Sequence, residues 1–209
     1  MSEIDWEALE RINEEQANDN AFHDLDCTLV PGEGDNPIAF IIGEAPGAQE
    51  VIKRRPFVGP AGRVQRSLTA IAGLHAEYGA HPIGHPLAGN PNCWLTNVVK
   101  FRPSRNRKPY HAEIVAARPY LRREWLAVGS PRVIVTVGGT ALSAVLGRQC
   151  SILRVVGEPQ MHIGRDGQEM VLWPMLHPAF GLRVPDVRKL IEHDWARLAA
   201  WMRDAGYSG

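Results

Sequence analysis

The stretch Ile38-Ala39-Phe40-Ile41-Ile42, followed at once by Gly43-Glu44-Ala45-Pro46-Gly47, decides how this chain is read. Five consecutive apolar residues predict a strand buried on both faces. The Gly/Pro loop behind it predicts the turn of an α/β unit, because Gly and Pro punctuate the exit from a strand. Three further runs repeat the pattern. Residues 93–99 pass through Thr96-Asn97; Val133-Ile134-Val135-Thr136-Val137 ends in Gly138-Gly139; Val171-Leu172-Trp173-Pro174-Met175-Leu176 ends in His177-Pro178. Pro174 has no N–H for a ladder, so its run suits a sheet edge better than the centre.

Helical periodicity fills the intervals, over residues 63–71, 112–127, 140–146 and 186–202; the last carries apolar residues at 187, 190, 191, 195, 198 and 201. Residues 4–12 read as a surface helix among carboxylates, and 31–37 as a run of turn formers. Strand–helix alternation predicts an α/β fold, one domain over residues 1–209 with a mainly parallel central sheet flanked by helices, led by an acidic helical segment at 1–30. Ligands of such sheets bind beyond the carboxyl ends of the strands. That rule singles out Glu44, Asn97, Gly138 and His177. Two insertions interrupt the pattern. Residues 75–92 carry His75, His81 and His85 without helical spacing or a nearby cysteine, which reads as a loop rather than a metal site. Residues 157–169 read as a hairpin around Arg165-Asp166-Gly167.

Composition narrows the class. The chain has 209 residues, 44% hydrophobic and 22% charged, which excludes a disordered chain, a collagen and a coiled coil. No apolar run reaches the ~18 residues of a membrane span. Residues 1–15 lack the basic-then-apolar pattern of a secretory signal, so a cytoplasmic protein (nucleoid-associated in a prokaryote) is expected. Cys27, Cys93 and Cys150 form no C-x-x-C pair, which predicts reduced thiols and no metal. The formal net charge of +0 hides an asymmetry: residues 1–36 carry 11 acidic groups and one basic, the remainder 12 acidic and 22 basic. A polyanionic partner is therefore compatible with this chain, provided the basic groups share a face.

Three blocks carry a resemblance. Gly43-Glu44-Ala45-Pro46-Gly47-Ala48-Gln49-Glu50 with Arg55-Pro56-Phe57-Val58-Gly59-Pro60-Ala61-Gly62 resembles the first motif of family 4 uracil-DNA glycosylases. Thr96-Asn97-Val98-Val99-Lys100, with Arg102-Pro103 and Asn106-Arg107, resembles that family's next block, and His177-Pro178-Ala179-Phe180-Gly181-Leu182-Arg183 its closing motif. The order matches, over roughly residues 30–203. The resemblance implies an α/β/α sandwich and a monofunctional hydrolase that excises uracil from single- or double-stranded DNA, leaving an abasic site. It departs in one respect. Family members hold an iron–sulfur cluster on four cysteines; here Phe101 and Ala117 stand in the third and fourth places and the N-terminal pair is missing. Thiolates are required for such a cluster, so no cofactor is expected, with Phe101 a candidate filler.

Roles follow from the resemblance, residue by residue. A glycosylase rotates its nucleotide out of the stack into a pocket. Asn97 is the candidate base reader, its amide matching the neighbouring O4 acceptor and N3–H donor of uracil; residue type alone favours a cap on a strand end or turn, and the motif context reverses that. Phe57 is the candidate stacking platform or, without the motif, a core residue. His177 would stabilise charge developing at O2, and Glu44 the sugar cation and the attacking water. Gly43, Ala45 and Gly47 would line the base site, and Glu50 would abut C5 and exclude the thymine methyl. Val51 and Arg54 replace a frequent acidic residue and a frequent Gly. Lys100, Arg102, Arg105, Arg107 and Lys108, five basic residues in nine, would grip phosphate with Lys53 and Arg183, while Leu182 is a candidate wedge. The alternative is a uracil- or abasic-site binding protein of weak or single-turnover activity. Some superfamily relatives trap the sugar through a histidine, and His111 follows the basic stretch. A Rossmann-type nucleotide site is disfavoured, since the loop lacks G-x-G-x-x-G spacing. A monomer is expected.

Overall fold

The computed structural model describes residues 4–74, 91–163 and 169–207. The His-rich stretch with His75, His81 and His85, and the hairpin tip at Arg165-Asp166-Gly167, lie outside the described residues. In chain order the elements are α1 (Trp6–Ala17), β1 (Glu33–Gly43), α2 (Ala48–Lys53), α3 (Pro60–Ile71), β2 (Pro91–Asn97), α4 (His111–Ala127), β3 (Val133–Val137), α5 (Gly139–Leu146), β4 (Gln160–Ile163), β5 (Glu169–Met175), α6 (Pro178–Gly181) and α7 (Pro185–Asp204). The described residues form one sheet of five strands in the order β2-β1-β3-β5-β4. Its first four strands are parallel; β4 pairs antiparallel with β5 at the far edge.

Alternation along the strands builds two cores. From β1, Ala39 and Ile41 face one side, where Leu95, Val133, Val135 and Trp173 meet Leu68 of α3 and Ile191, Trp195, Leu198 and Met202 of α7. Phe40 and Ile42 face the other, with Trp94, Ile134 and Leu172, against Leu121 and Trp125 of α4, Leu142 of α5 and Leu9 of α1. Each such side chain contributes roughly 1.5–3 kcal/mol by leaving water, so the strands read as continuous apolar runs because both faces are covered. Asp5 caps α1 by accepting from the Ala8 N–H at 2.9 Å, and the helix is tied down by the Asp5 N–H on the Ala127 carbonyl at 2.8 Å.

Two expectations change in detail. The turn formers at 31–37 make no turn: β1 begins at Glu33, and its register against β2 shifts between Glu33 and Ala39, so the Gly and Pro residues serve an irregular strand. Pro174 lies on β5, which has neighbours on both sides in the sheet order. Yet β4 pairs only with residues 169–172. At Pro174 the strand is locally an edge, and its carbonyl accepts from the Gly157 N–H at 2.9 Å. The missing proline N–H therefore falls where no ladder bond is lost.

Candidate active site

Four neighbouring parallel strands, β2, β1, β3 and β5, deliver their carboxyl ends to one edge of the sheet. Gly43 is in register with Asn97. Beyond them the Val98 and Val99 N–H groups donate to the carbonyls of Gly43 and Glu44 at 3.0 and 3.1 Å. On the other side the Gly138 N–H donates to the Met175 carbonyl at 2.8 Å, which sets the start of α5 beside His177. Asn97, Glu44, Thr140 and His177 are thus brought to one crevice by topology alone.

Residues 55–59, between α2 and α3, are each held by a side-chain hydrogen bond. The Arg55 guanidinium donates to both carboxylate oxygens of Glu33, at 2.6 and 3.0 Å. Arg66 of α3 is also paired with Glu33, and it donates to the Pro56 carbonyl at 2.7 Å and the Phe57 carbonyl at 2.9 Å. The Val58 and Gly59 N–H groups donate to Glu50 Oε1 at 3.0 and 2.6 Å. These contacts fix Phe57 at φ 55°, a left-handed conformation unusual for a bulky residue. Such strain persists only where the surroundings over-determine it. Gly62 makes this geometry possible: a Cβ there would stand 2.4 Å from Phe57 Cα. A Cβ on Gly43 would stand 2.4 Å from Asn97 Oδ1 and 2.8 Å from Phe57 Cζ. The amide and the ring therefore meet over the one strand-end residue that has no side chain.

Glu44 and His177 face the same crevice from β1 and β5. Glu44 accepts from the Thr140 hydroxyl. His177 caps α6, its Nδ1 accepting from the Ala179 N–H at 3.2 Å. The neutral tautomer with the proton on Nε2 follows, since Nδ1 acts as acceptor. Burial pushes the imidazole pKa below its ordinary value, and the Glu44 carboxylate partly offsets this. The result is a neutral imidazole that offers one N–H donor.

Other expectations are redirected. Lys100 does not face DNA: it is 2% exposed, and its Nζ donates to both oxygens of Glu124, at 2.8 and 2.7 Å. Four residues of backbone after Thr96 bring it over α4, where a buried carboxylate claims it. Glu50 is held by backbone N–H groups at the start of α3, so its carboxylate also shapes the loop. Arg107 pairs with Glu113 at 2.9 and 2.6 Å and stacks on Tyr110, 3.7 Å from the ring centroid. Arg102 donates to Asn106 Oδ1 at 2.7 Å. Arg105, Lys108, Lys53 and Arg183 are exposed, as is Leu182. Ala45 and Gly47 are partly buried in the loop, Gly47 as the N-cap of α2. His111 opens α4 on the surface. Arg54 adopts φ 49°, the left-handed conformation that favours the Gly frequent there in the resemblance.

Sequence reasoning missed Thr140 and Arg66. The second had a signal: an Arg that recurs on the apolar face of α3, between Val64 and Leu68, needs a carboxylate or carbonyls to bury against.

A family model described as the uracil DNA glycosylase superfamily matches residues 31–201. The chain belongs to this superfamily. It is 33% identical over 201 residues to the type-4 uracil-DNA glycosylase of Sulfurisphaera tokodaii, covering 92% of this chain and 84% of that one. It is 33% identical over 174 residues to that of Saccharolobus solfataricus (81% and 74%) and 36% identical over 179 residues to that of Pyrobaculum aerophilum (83% and 83%).

Phe101 and Ala117, at the places where the resemblance to family 4 implies cluster cysteines, do not fit an iron–sulfur group. Phe101 is buried and stacks on Phe22, ring centroids 5.3 Å apart, and Phe22 meets Tyr120 edge-on at 6.3 Å. Ala117 is fully buried in the same apolar cluster. The Tyr120 hydroxyl donates to Asp19 at 2.9 Å, tying the N-terminal segment over the stack. Cys93 is buried in β2 with its thiol pushed up by burial, while Cys27 is exposed. Among the described residues no three His, Cys, Asp or Glu side chains are grouped to hold a metal. Nor is any helix of these residues long and apolar enough to cross a membrane.

Proposed function

We propose that this chain is a monofunctional uracil-DNA glycosylase of base excision repair, acting on uracil-containing DNA as a monomer in the cytoplasm. One observation supports the assignment of roles: Asn97, Glu44 and His177 follow from the ends of three parallel strands, β2, β1 and β5, at one edge of the sheet, and Phe57 joins them from a clamped loop. A uracil rotated into it stacks on Phe57, while the Asn97 amide donates to O4 and accepts from N3–H. As the C1′–N1 bond breaks, electrons move into the base and negative charge develops at O2, toward which the Nε2–H of neutral His177 is aimed. A donor that is already neutral gains more from that charge in the transition state than in the ground state. Glu44 stabilises the oxocarbenium-like sugar and holds the water. The water adds hydroxyl to C1′, and its proton ends on the departing uracil. Arg105, Lys108, Lys53 and Arg183 grip phosphate, and Leu182 fills the gap left by the flipped base.

The test is turnover of labelled uracil-containing DNA followed by alkali. Multiple turnovers on uracil with none on thymine are expected. DNA retarded without alkali-labile sites would make the protein a binder instead, and a heat-resistant adduct lost in His111→Ala would make it a covalent trap.

A further inference from the structure

A buried ion pair lies behind the base-reading end of β2, on the sheet face opposite Asn97. Glu124 of α4 accepts from the Trp94 indole N–H at 3.0 Å, from the Thr96 hydroxyl at 2.9 Å, and from Lys100 Nζ at 2.7 and 2.8 Å. Lys100 also contacts Thr96 directly. All four residues are at most 4% exposed. Trp94 belongs to the α4-side core, whereas Cys93 and Leu95 belong to the α3/α7-side core. By that alternation the Thr96 hydroxyl and the Asn97 amide leave opposite faces of one strand.

The two chain positions that bracket Asn97 are therefore tied to the same carboxylate, Thr96 before it and Lys100 after it. Between them the Val98 and Val99 N–H groups are bonded to the carbonyls of Gly43 and Glu44. Residues 96–100 cannot pivot without breaking either the Glu124 contacts or the bonds to β1. A buried ion pair is a poor source of stability, because well-packed apolar replacements are often neutral or better. What it supplies is a directional anchor, with every polar atom facing a partner. Here that anchor lies one residue from the base reader, and it reaches the Glu44 backbone through Val99.

We propose that the Lys100–Glu124 pair is a positioning unit of this active site, setting the angle at which the Asn97 amide meets the flipped base. Neither residue touches substrate. The proposal rests on Asn97 reading the base.

Four variants test it: Glu124→Gln, Lys100→Met, the double variant, and Asn97→Ala. Each is measured for single-turnover excision at saturating uracil-containing DNA, for affinity toward DNA carrying a non-hydrolysable deoxyuridine analogue, and for thermal melting. The single variants are expected to slow excision about tenfold or more, since misplacement of a reacting group costs rate steeply, with affinity near wild type. The double variant removes both buried charges and should regain melting temperature without regaining rate, because a Met side chain at position 100 cannot bond residue 124 and the far end of the 96–100 stretch loses its anchor. A rate that returns together with melting temperature would reduce the pair to ordinary structure. Folded single variants with wild-type rate would overturn the proposal outright. If Asn97→Ala is impaired and Glu124→Gln is not, only the positioning role falls. If Asn97→Ala excises at wild-type rate, the reader assignment fails and the positioning role fails with it.

Discussion

The loop after β1 and the stretch after β2 leave the same edge of the same sheet, and their charges meet opposite fates. In the first, Arg55, Arg66 and Glu50 are drawn inward to clamp carbonyls and N–H groups around Phe57. In the second, a run of five cations that reads as a phosphate grip divides. Lys100 and Arg107 are claimed by Glu124 and Glu113, while Arg105 and Lys108 stand in solvent and Arg102 bonds a neutral amide, Asn106. A cation reaches DNA only if no carboxylate of the fold has claimed it. The number of cations is written in the chain; the claim depends on what α4 carries on the side facing β2.

The largest expected effect lies between the two regions. Asn97→Asp should lower excision on the order of 10²-fold or more, because a carboxylate leaves O4 facing an acceptor with no donor; single-turnover kinetics will read this. Next comes a contrast between clamped and free cations. Arg66→Ala should cost about 3 kcal/mol, having removed one partner of a buried pair, whereas Lys108→Ala should leave stability unchanged. Denaturant melts of both would break the comparison if the two losses were equal. A smaller effect is expected in the pH profile. Because burial lowers the His177 pKa below 6.5, excision should persist as pH falls through 6.5 and decline only beneath it. Over that interval the unfolded chain binds the proton before the folded one does, so His177 lowers stability increasingly as pH drops below 6.5. The smallest effect sharpens the division of the basic stretch. Arg105→Ala and Lys108→Ala should each reduce the salt slope of DNA binding by about one, and Arg107→Ala should leave it unaltered.

Much of the architecture was legible because burial on both faces writes itself into the chain as unbroken apolar runs. Residues 38–42 and 133–137 need no partner to be recognised as strands. Strand order then placed Glu44, Asn97 and His177 at one end of the sheet. Residues 31–37 were misread because turn formers and a bulged strand share a composition. Lys100 was misread because a basic neighbourhood says nothing of a carboxylate 24 positions away. Glu50 illustrates the same limit at short range: the motif marks its place, but whether its oxygens face a ligand or the N–H groups of Val58 and Gly59 is decided by how the loop closes. The Phe57 conformation had no local sign, since it is imposed by Arg66 from a separate helix.

The stack of Phe22 on Phe101 has a consequence for the conditions this protein tolerates. Two rings and a short acidic arm close this corner of the fold, so its strength follows the hydrophobic effect and weakens on cooling and in urea.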